Sequence, residues 1–155
     1  MTEIRITQDQ LRLMSLFEGK THVAARDCVE DEKHDRIIFV VDEGRVAAAI
    51  GKGGSSIRAA QNAIKRNVEI VEYAADPAKF VANVLNRKLV SDVRISRRED
   101  GSMAATVMVD PSKKALAIGR EGRNASKARL LAQRHFGITS VSIESAPAAV
   151  QGGVA

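Results

Sequence analysis

Apolar and polar residues along this chain of 155 residues follow one pattern that occurs twice. In residues 1–75, apolar side chains recur first at helical spacing and then in two strand-like runs. Two helical segments and a third strand-like run follow. The clearest strand is residues 36–41, in which Arg36 is followed by Ile-Ile-Phe-Val-Val, and this apolar run predicts a central position in a sheet. The predicted order of elements is therefore α, β, β, α, α, β.

Polar residues at the ends of these elements predict their boundaries. Thr7 is a typical N-cap, and Gln10 three residues later completes a capping box for the first helix. Gly19 is the expected end of that helix. Asp42 is the expected N-cap of a short, alanine-rich helix over residues 43–50.

Residues 76–144 repeat the order α, β, β, α, α, β. Asp76 followed by Pro77 is a favoured helix start, and Asp110, also followed by proline, is expected to cap the short helix of this half. The last strand is expected over residues 140–143. We therefore expect a first unit over residues 1–75, a second unit over residues 76–144, and a disordered tail rich in Ala, Gly and Pro over residues 145–155.

The two halves align at a constant offset of 68 residues. The matched positions include a helix cap, the glycines of a turn and core positions of helices, so the match is not confined to one motif. They are Asp42 with Asp110, Ala47 with Ala115, Ala49-Ile50-Gly51 with Ala117-Ile118-Gly119, Gly54 with Gly122, Ala60 with Ala128, and Arg66 with Arg134. An ordered set of this kind indicates an internal duplication.

The duplicated segment centres on a Gly-x-x-Gly turn between two helical segments. Its first copy is Ala-Ile-Gly-Lys-Gly-Gly-Ser-Ser-Ile-Arg, and its second is Ala-Ile-Gly-Arg-Glu-Gly-Arg-Asn-Ala-Ser. We name residues 51–54 the first loop and residues 119–122 the second loop. Two glycines let a backbone approach its partner closely. A cation follows the first glycine in each copy, Lys52 or Arg120, which suggests that the partner is anionic.

Three glycine-rich phosphate-binding motifs compete for this turn. A P-loop fails because Val46 stands where its first glycine is required and Gly53 stands where Ser or Thr is required. A dinucleotide fingerprint fails because no third glycine follows and a helix, not a strand, precedes the turn. The third motif is the helix–Gly-x-x-Gly–helix clamp by which KH domains bind about four nucleotides of backbone. A turn that merely joins two helices is the structural alternative.

Charges after the second loop favour an anionic ligand. Arg123 and Lys127 lie at the start of a helix, where the macrodipole favours acidic residues unless an anion is near. Glu121 opposes this trend, because a carboxylate repels phosphate unless it pairs with a neighbouring arginine or points away. The candidate RNA-binding residues are Ile50, Gly51, Lys52, Gly53, Gly54, Ser55, Arg58, Ile118, Gly119, Arg120, Glu121, Gly122, Arg123, Asn124 and Lys127.

Composition narrows the mode of recognition. Aromatic residues make up only 3% of the chain, so a surface for aromatic base stacking is not expected. We expect bases to lie in a groove lined by aliphatic side chains such as Ile50, Ile57 and Ile118. The net charge is +5, and its excess lies in residues 76–155, which carry 13 Lys and Arg against 7 Asp and Glu.

Other chemistry has no motif in this sequence. Cys28 is the single cysteine and is expected to pack as a small apolar residue, and the three histidines are scattered. We therefore expect no enzyme activity, no cofactor and no metal site. No signal peptide and no apolar run approaching 18 residues are found, so a soluble, cytoplasmic protein is expected.

The two loop motifs, each within an αββααβ unit, resemble those of the tandem KH domains of the NusA family of transcription factors. The resemblance covers about residues 4–144, and its more specific part extends from Val109 through Arg129. A chain with two KH units and little else looks like the archaeal NusA-like proteins. Bacterial members carry a polymerase-binding domain and an S1 domain in addition, for which this chain has no room.

The resemblance implies an α+β fold of two tandem type II KH domains packed together. It also implies a role in transcription elongation, termination or antitermination through binding of nascent single-stranded RNA. The expected partners are single-stranded RNA and RNA polymerase or the transcription elongation complex, with no membrane partner, and we expect a monomer. A ribosome-associated or RNA-processing KH protein is the alternative function.

Overall fold

A computed structural model describes residues 4–146 of the chain. These residues form two compact units, one over Arg5–Ala74 and the other from Ala75 onwards, with Ile4 beside the latter. The helices are α1 (Gln8–Thr21), α2 (Val46–Ile50), α3 (Ser55–Ile64), α4 (Pro77–Leu85), α5 (Lys114–Ile118) and α6 (Arg123–Phe136). The strands are β1 (Ala25–Asp31), β2 (Arg36–Val41), β3 (Val68–Glu72), β4 (Val90–Arg97), β5 (Met103–Val109) and β6 (Ile138–Ser145).

Each unit contains one three-stranded sheet with the same topology. In the first unit β2 lies between β1 and β3, antiparallel to β1 and parallel to β3. In the second unit β5 lies between β4 and β6 with the same strand directions. The predicted α+β fold, with the order α, β, β, α, α, β in both halves, is confirmed. The predicted central position of β2 is also confirmed, and all six of its residues are buried.

Helices α1 and α3 of the first unit pack on each other above a common core. Phe17 of α1 stacks on Phe39 of β2, with ring centroids 4.2 Å apart. Both rings are fully buried, and burial of a side chain of this size contributes roughly 1.5–3 kcal/mol. Ala49 and Ala60 are fully buried as well, and their small side chains let α2 and α3 approach each other where the first loop joins them.

The second unit is built in the same way around other side chains. Phe80 of α4 is fully buried and lies with its ring centroid 5.2 Å from that of His135 in α6. Ala117 in α5 and Ala128 in α6 are buried like their first-unit counterparts Ala49 and Ala60. The duplicated alanines therefore place both loops at the same position in their units.

The first helix begins as predicted but ends later. Thr7 Oγ1 accepts from Gln10 N at 3.1 Å, and Gln10 Oε1 accepts from Thr7 N at 3.0 Å, which completes the capping box. Gly19 was the wrong end point, because the helix continues to Thr21. His22 takes the left-handed conformation that ends the helix, with φ 61°. The Thr21 hydroxyl donates to the carbonyl of Phe17 at 2.8 Å and fixes this last turn.

The two aspartates predicted to cap the short helices differ in their roles. Asp110 behaves as a cap, since it accepts from Ser112 N at 2.9 Å at the start of a 3₁₀ turn leading into α5. Asp42 does not cap α2, which begins only at Val46 without a side-chain cap. Its carboxylate instead accepts from Arg26 Nη1 at 2.9 Å, because strand β1 brings that guanidinium within reach.

The final strand is longer than predicted. It pairs with β5 from Met103 opposite Ile138 to Val109 opposite Ser145, so residues on both sides of 140–143 join the sheet. Ala146 N donates to Val109 O at 2.6 Å and continues this pairing. Ser145, predicted to begin the disordered tail, is therefore part of a strand, and residues 147–155 of that tail lie outside the described residues.

Arg36 is fully buried at the start of the central strand of the first unit. Its Nε lies 2.8 Å from Asp31 Oδ2, and its Nη1 lies 3.3 Å from Glu69 Oε1. Two carboxylates offset the cost of placing this charge inside the protein.

Within residues 4–146, no helix combines the length and apolar character required to cross a bilayer.

Candidate nucleic-acid interface

The first loop is a tight connection between α2 and α3. Gly51 leaves α2 with φ 79° and ψ 167°, and its N–H donates to Ala47 O at 2.9 Å. Gly53 and Gly54 then both take the left-handed conformation, with φ 63° and 79°. Gly54 N donates to Gly51 O at 3.0 Å and closes the turn, after which α3 begins.

The second loop repeats this backbone. Gly119 has φ 83° and ψ 164°, and Gly122 has φ 71° and ψ 18°. Gly119 N donates to Ala115 O, and Gly122 N donates to Gly119 O, both at 3.0 Å. The sequence repeat is therefore also a repeat of conformation and of hydrogen bonds.

The first glycine of each loop is required both by its backbone conformation and by close packing. The backbone conformation of Gly51 and Gly119 lies in a region that only glycine occupies readily. A Cβ at Gly51 would also lie 2.8 Å from the backbone nitrogen of Ser56, and one at Gly119 would lie 3.0 Å from that of Asn124. These glycines let the next helix pack directly against the turn.

The last glycine of each loop is needed for its backbone conformation more than for space. A Cβ at Gly122 would meet no atom within 4 Å, and one at Gly54 would meet only the flexible end of Arg58. Both residues have a left-handed conformation, which Asn and Asp tolerate better than other side chains. The outer face is therefore open to a ligand at Gly122, and at Gly54 it is covered only by the guanidinium end of Arg58.

The loops are braced by different side chains. In the first loop, Arg58 Nη1 donates to Gly53 O at 2.7 Å. Beside the second loop, Asn124 Nδ2 of α6 donates to Leu116 O of α5 at 3.3 Å, which ties together the two helices that the loop joins. Arg58 was expected to face phosphate, and the structure gives it a bracing contact with one of its five N–H donors. The other donors leave it able to contact an anion as well.

The predicted cations differ in how accessible they are. Lys52 and Arg120 are exposed, and within residues 4–146 neither has an ion pair or hydrogen bond to another side chain. Arg123 and Lys127 are half-buried and already interact with other groups of the protein. The position after the first glycine therefore presents the most available positive charge in each loop.

Glu121 occupies the position that Gly53 holds in the first loop. Its backbone is left-handed, with φ 55° and ψ 27°, nearly the same as at Gly53. The side chain is exposed, and in the described part of the chain it pairs with neither Arg120 nor Arg123. Neither neighbouring guanidinium group therefore forms an ion pair with this carboxylate.

Aliphatic side chains lie beside both loops. Ile50 is 38% exposed immediately before the first loop, while Ile57 and Ile118 are half-buried. Leu116 is 64% exposed one turn before the second loop, and it is not among the site residues that the sequence predicts. Its counterpart at the offset of 68 residues is Ala48, so a comparison of the two repeats could not identify it.

The fifteen predicted site residues fall on two surfaces, one in each unit. Ile50, Ser55 and the first loop are continuous, and Arg58 lies across that loop. The second surface contains Ile118, the second loop and the first turns of α6.

Among the described residues, no group of three or more His, Cys, Asp or Glu side chains is placed to bind a metal ion.

One ionisable group near the second loop has a perturbed pKa. The hydroxyl of Ser112 donates to Asp110 Oδ1 at 2.7 Å, and this bond, with the one from Ser112 N, lowers the pKa of Asp110. The nearby charge of Lys113 acts in the same direction. These contacts therefore favour the ionised form of Asp110 at the start of the turn that leads into α5.

Comparison with known domain families assigns both units to one class. Residues 14–75 match the family described as KH domain, and residues 77–146 match the NusA-like second KH domain. The fold and the two Gly-x-x-Gly loops thus define a protein with two KH domains in tandem.

Individual relatives narrow the class to one family. A protein of Halobacterium salinarum named "Probable transcription termination protein NusA" is 37% identical over 90% of this chain and 98% of its own. "Transcription termination/antitermination protein NusA" of Bacillus subtilis is 36% identical over 79% of this chain and 33% of its own. The crystal structure of APE1850 superposes with a TM-score of 0.81 at 35% identity, over 89% of this chain and 99% of that one. The chain belongs to the NusA family.

Proposed function

We propose that this chain is an RNA-binding transcription factor that binds single-stranded nascent RNA on its two loops and modulates elongation or termination. Membership of the NusA family supports the role in transcription termination and antitermination. The observation that carries the binding mode is the same Gly-x-x-Gly backbone in both units, each copy with an exposed, available cation after its first glycine.

The loop geometry suits a phosphate backbone for two reasons. The outer face is open at Gly122, and at Gly54 only the flexible end of Arg58 covers it, so a sugar-phosphate chain can approach to backbone distance. The helices that follow, α3 and α6, begin at these glycines, and the first turn of a helix has N–H groups that attract anions. Lys52 and Arg120 add a full positive charge beside each approach path.

The aliphatic side chains beside the loops supply the second half of the interface. Ile50, Ile118 and Leu116 present apolar surface next to the clamped backbone. Unstacked bases bury their faces on such a surface, which explains how a chain with 3% aromatic residues binds single strands.

The test of this function is the salt dependence of binding. About three available cations, Lys52, Arg58 and Arg120, predict a slope of log K against log salt of roughly −2 for a single strand. Fluorescence anisotropy with a labelled oligouridine at increasing salt measures this slope. A Lys52→Gln, Arg120→Gln double variant should bind more weakly with a shallower slope. Affinity that is independent of salt would contradict clamping of the phosphates.

The oligomeric state and the protein partners of the chain are further parts of this proposal. We propose that the chain acts as a monomer and contacts RNA polymerase or the elongation complex. The names of its relatives support a place in transcription over the ribosome-associated alternative. Co-purification with RNA polymerase but not with small ribosomal subunits, and a monomer mass by light scattering, are the expected results.

We also propose that the chain acts by binding and not by catalysis. The loops offer cations, backbone N–H groups and apolar side chains, which bind a strand without altering it. RNA recovered unchanged after prolonged incubation is the expected result, and cleavage abolished by a loop substitution would contradict it.

A further inference from the structure

Glu121 is in a backbone conformation that disfavours its own side chain. Gly53, its counterpart in the first loop, adopts the left-handed conformation without steric cost. For a residue with a side chain, such as Glu121, the same conformation destabilises the folded state by about 1–2 kcal/mol. The second loop nevertheless keeps the same turn. A strained residue on an exposed binding loop is a reason to look for a function of its side chain.

No ion pair or hydrogen bond of the Glu121 side chain to residues 4–146 compensates for this cost. Glu121 is exposed and has no ion-pair or hydrogen-bond partner in the described range 4–146. A Cβ built at Gly53 would meet nothing within 4 Å, so a side chain at this position of the turn extends into open space. The carboxylate is therefore available to a ligand held on the second loop.

The chemistry of a carboxylate restricts what it can contact on RNA. An ionised carboxylate only accepts hydrogen bonds, and it repels phosphate. RNA offers N–H donors on its base edges, and guanine presents two side by side, N1–H and the N2 amino group. A carboxylate matches that pair with two parallel bonds, the geometry that makes Arg–carboxylate pairs strong. Cytosine and adenine each offer one amino group beside an acceptor, and uracil offers one N–H between two carbonyls.

We propose that Glu121 makes the second loop selective for guanine at a nucleotide next to the bound phosphate. Arg120 lies beside it and attracts the backbone, which offsets the repulsion between the carboxylate and the phosphates. The first loop has Gly53 at this position and lacks such a contact. The two KH units then have different tasks, the first independent of sequence and the second selective. This inference rests on the proposed function, because it requires RNA on the second loop.

The test compares single-stranded RNAs that differ at one base. Fluorescence anisotropy with the full chain is measured for octauridine, and for octauridines in which one central base is replaced by guanine, hypoxanthine or adenine. Hypoxanthine keeps N1–H but lacks the N2 amino group. The wild type should bind the guanine RNA roughly tenfold more tightly than the adenine RNA, within the range for one bidentate base contact, with hypoxanthine between them.

Two variants separate selectivity from general affinity. Glu121→Gly copies the first loop, so it should bind all four RNAs within about twofold of each other and bind octauridine more tightly than the wild type. Glu121→Gln keeps the shape of the side chain but loses the charge, and should retain only part of the preference. An unaltered thermal midpoint, or a higher one, shows that both variants are folded.

The possible failures are distinguishable. A wild type with no guanine preference, or a preference that survives in Glu121→Gly, would overturn the role of Glu121 while leaving RNA binding intact. If the wild type bound none of the four RNAs even at low salt, the proposed function itself would fail, and the role of Glu121 with it.

Discussion

Arg58 Nη1 donates to the carbonyl of Gly53 at 2.7 Å, so a side chain of α3 reaches back over the first loop that precedes it. A guanidinium in this position does two things. It fixes a flexible glycine turn, and it leaves a positive charge on the face where a phosphate would lie. The second loop has Ser126 at the matching position, and there Asn124 of α6 donates to Leu116 O of α5 instead.

The first prediction concerns this double role. Arg58→Ala should lower the affinity for oligouridine about fivefold, because both the bracing contact and one phosphate contact are lost, each worth about 1 kcal/mol or less at an exposed site. The slope of log K against log salt should become shallower by about 0.7. Arg58→Lys keeps the charge, so its affinity for oligouridine should lie between those of the wild type and Arg58→Ala. Arg12→Ala, at an exposed arginine on α1, is the control and should bind like the wild type. Unchanged binding by Arg58→Ala would show that the residue has no part in the interface.

The second prediction separates the glycines of one loop by stability. Gly51→Ala should cost about 3 kcal/mol in free energy of unfolding of the first unit, because its conformation is nearly exclusive to glycine and its Cβ meets the backbone of Ser56. Gly53→Ala should cost only about 1 kcal/mol, because its left-handed conformation is less restricted and the space around it is open. Urea denaturation of the two variants measures the difference. Equal losses would mean that close packing at Gly51 has no energetic importance.

The third prediction is a pH dependence in the second unit. Hydrogen bonds from Ser112 lower the pKa of Asp110 below its ordinary value of 3.8, so the folded state favours the ionised form. The stabilisation is therefore present above pH 3.8 and is lost as the pH falls through the lowered pKa. Ser112→Ala should raise the pKa of Asp110 towards its ordinary value and weaken this acid dependence. An NMR titration of the Asp110 carboxyl group measures the shift. An identical titration curve in the variant would exclude Ser112 as its cause.

The fold was largely predictable because its signals are local or duplicated. Thr7 with Gln10 and Asp76 with Pro77 define helix starts within a few residues, and both are confirmed. The central strand β2 was identifiable because a strand buried on both faces needs an uninterrupted apolar sequence.

The errors arose where a distant group decided the local structure. Asp42 precedes a helical segment, as an N-cap does, but Arg26 of strand β1 forms an ion pair with its carboxylate. Gly19 is a common helix end, yet α1 continues to Thr21, His22 makes the left-handed turn, and Val23 after it is buried. The extent of β6 depends on its pairing with β5, which residues 138–145 do not encode by themselves.

The loops were predicted in position but not in detail. Spacing and repetition located both turns and their cations. The bracing by Arg58 and the exposure of the Glu121 side chain depend on side-chain directions set by the folded turn. The exposure of Leu116 depends on which face of α5 the core covers. None of these is a property of residue order alone.

The most direct measurement of RNA binding by the two loops compares two double variants at moderate salt. Gly54→Asp with Gly122→Asp places a carboxylate on the outer face of each loop, beside Arg58 in the first, and Gly54→Asn with Gly122→Asn places a neutral side chain of the same shape there. Asp and Asn both tolerate the left-handed backbone, so each substitution should cost about 1 kcal/mol of stability. The aspartate variant should lose detectable binding to oligouridine, while the asparagine variant should bind weakly but measurably. A folded aspartate variant that binds RNA as tightly as the wild type would contradict binding of the RNA backbone by these loops.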